Sequence, residues 1–279
     1  MTIRQYLLRA STAIASSTAI AFGLAGTAQA HFQVLYTEET ALQRSGNLEF
    51  ALVFSHPFSG GPAMAMPEPR AFDLVSRQGG EKTDLRKYLR PVEWQSRENR
   101  ATAYRASIPR ELVRSLGDYV FVLEPEPYLE AEEGLYIQQF TKLVVNVGGV
   151  PGHWADPVGL PVEIQPLNRP YANWTGGVFR GVVLSKGEPV PYAKVEIEYL
   201  NHAVDLERNA FGRKAQVSAP HPAFEILSAY TDGQGIVTIG LPRAGWWGIA
   251  ALGIGETQTH KGKRLSQDAV LWIQARDIK

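Results

Sequence analysis

The chain has 279 residues, and its 28 Lys and Arg balance 28 Asp and Glu, for a formal net charge of zero. That balance leaves no basic field for bulk electrostatic capture of nucleic acid, and an apolar fraction of 44% excludes disorder over most of the length. Cysteine is absent, which removes disulfides, thiol nucleophiles, cysteine-based zinc sites and iron–sulfur clusters together.

Residues 1–30 place Arg4 and Arg9 ahead of a Ser/Thr-diluted apolar run that ends in Ala28-Gln29-Ala30. This is the small-x-small pattern of a signal-peptidase site. The run is too short and too interrupted to span a bilayer. It predicts a cleavable export signal, a mature chain beginning at His31, and a periplasmic protein that does not span the membrane. Strands are predicted at 48–54 (LEFALVF), 71–75, 101–108, 119–123 and 142–147, with turn-rich pieces between them and short helical turns at 83–89 and 110–116. That spacing describes an antiparallel sandwich over 31–150. Residues 151–174 are dense in Pro and Gly and read as a crossover. A second, smaller sandwich follows over 175–279, with strands at 177–184, 193–199, 236–239 and 269–275 and a further run at 242–252. The expected fold class is all-β, two β-sandwich domains of Ig-like or transthyretin-like type with short helical turns.

The sharpest chemical signal is His31. A chain-terminal His offers its amine and its imidazole Nδ1 to one metal ion, closing a small chelate ring. The amine has an ordinary pKa of about 7.7–8.0, so a divalent ion can displace its proton near neutrality. A second imidazole completes a three-nitrogen set, the histidine brace, which suits copper, nickel or cobalt. His56, in Phe54-Ser55-His56-Pro57, follows an apolar strand and opens a Gly/Pro-rich loop, where a rigid edge presents a side chain. Met64 and Met66 come next; as thioethers they read as loop packing, with one as an axial ligand. His153 reads as an exposed loop residue rather than a third ligand, and His202, His221 and His260 read as surface residues. Gln33 occupies the third position and excludes an amino-terminal copper/nickel motif that needs His there.

Other chemistries find little support. No G-x-S-x-G, G-x-G-x-x-G or P-loop occurs. Glu124, Glu126, Glu130, Glu132 and Glu133 form an acidic run that reads as a solvated face rather than a glycosidase dyad or a cation-attracting rim. Trp246-Trp247 reads as a buried corner plug rather than a sugar platform.

His31-Phe32-Gln33, Phe54-Ser55-His56-Pro57 with Met64-x-Met66, Gly117-Asp118-Tyr119-Val120-Phe121, Glu124-Pro125-x-Pro127-Tyr128, and Arg243-Ala244-Gly245-Trp246-Trp247-Gly248 together resemble the DUF4198 family, described as periplasmic components of nickel or cobalt uptake systems. The resemblance implies a non-enzymatic β protein that binds a nickel or cobalt ion and supplies a metal uptake permease or transporter in the inner membrane, with no nucleic-acid partner. His31 and His56 carry that role over, and Met64 and Met66 follow. The second unit resembles transthyretin-like or carboxypeptidase-regulatory modules through Gly187-x-Pro189-Val190-Pro191-x-Ala193-x-Val195, which speaks to fold alone. Two rival readings stand beside this one. One is a copper oxidoreductase with Tyr36 or Tyr104 as axial ligand. The other is a structural sandwich module without metal.

Overall fold

The computed structural model describes residues 31–76 and 81–278. The export signal expected at 1–30 lies outside the described residues. The fold is all-β, and its helical content is three short 3₁₀ turns among the described residues, Arg86–Tyr88, Arg110–Val113 and Pro222–Phe224. No helix among the described residues is long and apolar enough to cross a membrane.

The described strands form three sheets. The front sheet runs in the order Phe32–Tyr36, Leu48–Ser55, Arg100–Ile108, Leu89–Gln95, Ala210–Ala215, His202–Asp205. The central sheet is twelve-stranded. Its main path runs Ile226–Tyr230, Lys194–Tyr199, Gly245–Ala251, Lys263–Arg276, Leu135–Val147, Gly117–Glu124, Ala71–Val75, Lys82–Asp84. The back sheet holds Val162–Pro166, Val178–Ser185, Glu188–Pro189 and Ile236–Gly240.

The central sheet is covered on both faces, and its strands alternate between two cores. Along Gly117–Glu124, Phe121 and Leu123 enter the front core while Val120 and Val122 enter the back core. Along Lys263–Arg276, Val270 and Trp272 face front, and Ala269, Leu271 and Ile273 face back. Burial on both faces explains why these strands read as continuous apolar runs rather than as polar/apolar alternation.

The two predicted units are spliced edge to edge. Leu135–Val147 pairs in parallel with Lys263–Arg276, from Tyr136 opposite Leu265 to Leu143 opposite Trp272. Strands from residues 31–150 and from 175–279 therefore share one sheet, and each unit closes its core on an opposite face of it. The hairpin His202–Asp205/Ala210–Ala215 crosses over to extend the front sheet, with Ala210 opposite Gln95. The 151–174 crossover supplies a strand of its own, Val162–Pro166 in the back sheet. The first strand, Phe32–Tyr36, pairs antiparallel with Leu48–Ser55. No sequence signal marked this strand or Leu89–Gln95, whose Pro91 and charged residues hide a strand partnered along its length by Arg100–Ile108.

Three buried ionisable residues stand out, a salt-bridged pair and a lone acid. Lys142 and Glu163 tie the central sheet to the back sheet at 2.6 Å, with side chains 2% and 1% exposed. Glu163 also accepts the Val158 and Gly159 N–H groups at 3.1 Å. Burial pushes the Lys142 ammonium down and the Glu163 carboxylate opposes that. Glu198, 1% exposed, accepts the Phe58 N–H at 2.7 Å through Oε1, and its Oε2 has no hydrogen-bond partner. Burial first, then the like charges of Glu196 and Glu225, push this carboxyl well above its ordinary value of 4.5, with the Phe58 N–H opposing them.

Lys142→Ala strands the Glu163 carboxylate in the interior and is expected to lower unfolding free energy by about 3–5 kcal/mol in a urea titration; a loss under 1 kcal/mol would show that the pair contributes little. Because Glu198 titrates higher in the folded chain than in the unfolded one, the folded chain binds more protons above pH 4.5, and stability falls as pH rises through that window. Glu198→Gln is neutral throughout. Its stability relative to wild type is expected to grow from pH 4.5 to pH 8 in thermal melts, and a gap constant with pH would contradict the elevated carboxyl.

Candidate metal centre

Antiparallel register builds the site. Phe32 lies opposite Ser55, so His31 and His56 occupy the next facing positions, and their ring centroids are 4.4 Å apart at 41°. Two histidines 25 positions apart in sequence thus meet because one strand folds back on another. The Phe54 and Tyr128 rings wall the His31 imidazole, at centroid distances of 5.5 and 5.9 Å.

His31 is held from both ends of its residue. Gln139 Nε2 donates to the His31 carbonyl at 2.7 Å, and Gln139 Oε1 accepts the Gln33 N–H at 2.7 Å. Trp272 Nε1 donates to the Gln33 carbonyl at 2.9 Å. The first strand is therefore gripped by side chains from both partners of the parallel splice. Gln139 Nε2 also reaches Asp268 Oδ2 at 3.3 Å, and Asp268 accepts the Gly253 N–H and the Ser266 hydroxyl. Beyond the ring, His31 Nδ1 stands 3.0 Å from Glu130 Oε2. Burial lowers the His31 imidazole to about 4, so the ring is neutral near pH 7, the form in which imidazole binds metals.

His56 begins a loop held by the C-terminal half. The His56 carbonyl accepts the Gly60 N–H at 2.9 Å. Glu198 accepts the Phe58 N–H, the Asn201 N–H donates to the Pro57 carbonyl at 3.2 Å, and Asn201 Nδ2 donates to the Phe58 carbonyl at 3.2 Å. Gly60 has φ +75°, and a Cβ there would lie 2.7 Å from the His202 ring, so only glycine lets the loop pack this closely. His31, His56, Met64, Tyr128, Glu130 and Asp268 line an open cleft of about 1170 Å³ between the halves.

The remaining sequence-predicted residues divide. Met64 is buried and lines the same cleft. Met66 is buried beside it, and its Sδ accepts from Gln33 Nε2 at 3.6 Å. His153 is not the exposed loop residue expected: it is buried, with Nε2 3.2 Å from the Val75 carbonyl. His202 is not a surface residue either: it is 1% exposed, with Nδ1 2.7 Å from the Gly212 carbonyl, and it supports the His56 loop. His221 is exposed, as read, and His260 is half-buried against the Tyr136 ring. Glu130 leaves the solvated face expected of the acidic run and joins the site. Tyr36 packs at a tilt against Trp246 instead, and the tyrosine in the cleft is Tyr128 rather than Tyr36 or Tyr104. Trp246 and Trp247 are both buried, one in each core.

Sequence reading also missed Gln139, Asp268, Glu196 and Glu198. A signal existed: buried polar residues such as Gln138, Gln139 and Thr141 interrupt an otherwise apolar strand, and such residues are kept inside only with partners. Among the described residues, no group of three or more His, Asp or Glu side chains is arranged to hold a metal ion. The His31 and His56 side chains bring two imidazoles together.

No curated protein matches the chain. Among solved structures, it is similar to the D0-D1 domain of Intimin, at 10% identity over 88% of this chain and 100% of that one, with a TM-score of 0.20. It is also similar to the Yersinia pseudotuberculosis adhesin InvE, at 13% identity over 88% of this chain and 61% of that one, with a TM-score of 0.23. At such scores neither likeness carries an argument about function. One family model matches residues 28–255, which include every residue lining the His31/His56 cleft up to Gly253. The chain belongs to the family described as Domain of unknown function (DUF4198).

Proposed function

We propose that this protein captures a divalent transition-metal ion, nickel or cobalt, in the periplasm and supplies it to an uptake permease of the inner membrane. The observation that carries the reading is the contact of the His31 and His56 rings at 4.4 Å, with His31 immediately ahead of a strand whose backbone is clamped by Gln139. Cleavage after Ala30 would free the His31 amine, which is covalently fixed beside its own imidazole. The donor set is then one amine, two imidazoles, and the Glu130 carboxylate 3.0 Å from His31 Nδ1. Nitrogen and carboxylate donors suit nickel(II) and cobalt(II). Neutral His31 needs no proton removed from its ring before it coordinates. The resemblance to components of nickel or cobalt uptake systems points the same way, and the ion is cargo in this reading rather than a resident cofactor.

A copper oxidoreductase is the second reading. The same nitrogen set binds copper(II) more tightly than nickel or cobalt, and Tyr128 beside His31 takes the place that Tyr36 and Tyr104 do not fill.

Calorimetry with nickel, cobalt and copper(II) chlorides tests both. A protein starting at His31 is expected to bind at least about tenfold more tightly than one carrying a single extra Ala ahead of it. Equal affinities would remove the terminal chelate. His56→Ala is expected to weaken binding by a similar factor while His221→Ala leaves it unchanged. Copper-loaded protein is expected to show no peroxide-driven turnover of polysaccharide, and measurable turnover would favour the oxidoreductase.

A further inference from the structure

Glu198 is a buried acid with no cationic partner among the described residues and one strong hydrogen bond, to the backbone N–H of Phe58, two residues beyond His56. Its second oxygen makes no hydrogen bond. A buried group left half-satisfied costs free energy, so its one bond marks what it is there to hold. The held segment is the loop that presents His56, and the holder is the strand Lys194–Tyr199 of the other half. Asn201, just past that strand, reinforces the contact through the Pro57 and Phe58 carbonyls. The other end of the loop closes on itself through the His56 carbonyl and packs Gly60 on His202. The His56 ring is thus positioned by residues 198–202, while the His31 ring is positioned by Gln139.

We propose that Glu198 is the positioning residue for His56: its buried oxygen, accepting the Phe58 N–H, locks the loop to the C-terminal half and sets the separation of the His56 ring from His31. It touches no ligand and acts only through the loop backbone. The inference rests on the metal-capture reading for its affinity readout alone.

The test uses the full mature chain with nickel chloride in calorimetry and, separately, hydrogen exchange of the metal-free protein across residues 57–61. Glu198→Gln keeps an acceptor oxygen and is expected to bind within about threefold of wild type, with the loop amides equally protected. Glu198→Leu removes the acceptor and is expected to bind about tenfold or more weakly, with faster exchange confined to the loop; the factor corresponds to losing one buried hydrogen bond. Should the Leu variant not fold, Glu198→Asp, shorter by one methylene, is expected to lie between the two. Lys142→Met, destabilised at the far face, is expected to retain wild-type affinity and separates positioning from a loss of stability. Wild-type affinity and exchange in both Leu and Asp variants would overturn the proposal. A Gln variant as weak as Leu would overturn it too, because it would assign the effect to charge. If the wild type binds no metal, the capture reading falls, while the exchange comparison still decides whether Glu198 clamps the loop.

Discussion

The parallel pairing of Leu135–Val147 with Lys263–Arg276 is the constraint from which the site follows. Its register sets Gln139 opposite Asp268 and Leu143 opposite Trp272. Strand alternation then turns Gln139, Asp268 and Trp272 to the front face together. Gln139 and Trp272 grip the backbone of the first strand on either side of Gln33, and Asp268 steadies Gln139. A shift of one residue along this pairing would turn Gln139 to the opposite face from Asp268 and Trp272, and the first strand would lose one of its two anchors. A junction between the halves thus becomes the platform for His31, just ahead of the first strand.

The front interface is apolar over most of its area and polar at one end. Phe50, Phe72, Phe121 and Trp272 pack in it, while Gln139, Asp268, Glu196, His31 and His56 line the cleft. Burying such groups is unfavourable unless each finds partners. The amide of Gln139 and the carboxylate of Asp268 are well supplied, and networks of this kind hold side chains in one arrangement. Glu196 and Glu198 each keep one oxygen without a hydrogen bond, and both lie on the strand nearest the His56 loop. The unfavourable term is therefore concentrated where two sheets must hold a loop in place, as expected of a site built on rigid elements rather than on mobile ones.

The two histidines arrive by different routes, which gives the site a divided support. His31 is fixed by the splice and by Glu130 from the short strand Tyr128–Glu130. His56 is fixed by the strand Lys194–Tyr199 of the central sheet, through Glu198, and by the crossing hairpin that carries His202. Each ring therefore reports on contacts between residues more than a hundred positions apart in sequence, and both depend on the halves being joined as they are.

Composition, turn spacing and apolar runs were enough for the all-β class and for the central strands, because a strand buried on both faces leaves an uninterrupted hydrophobic signature; 71–75 was read with its observed bounds. The meeting of His31 and His56 was legible because the signals are local: a His after a small-x-small pattern, and a His at the end of a strand. The partners of those residues were not legible. Gln139, Glu130, Asp268 and Glu198 look like ordinary polar residues along the chain, and His202 like a surface one. What sheet order decided was which strand lies beside which, including the splice that merges two predicted sandwiches. Periodicity is set by the local backbone and so is written in neighbouring residues, whereas strand pairing is set by the sum of many distant contacts, none of which leaves a mark at its own position.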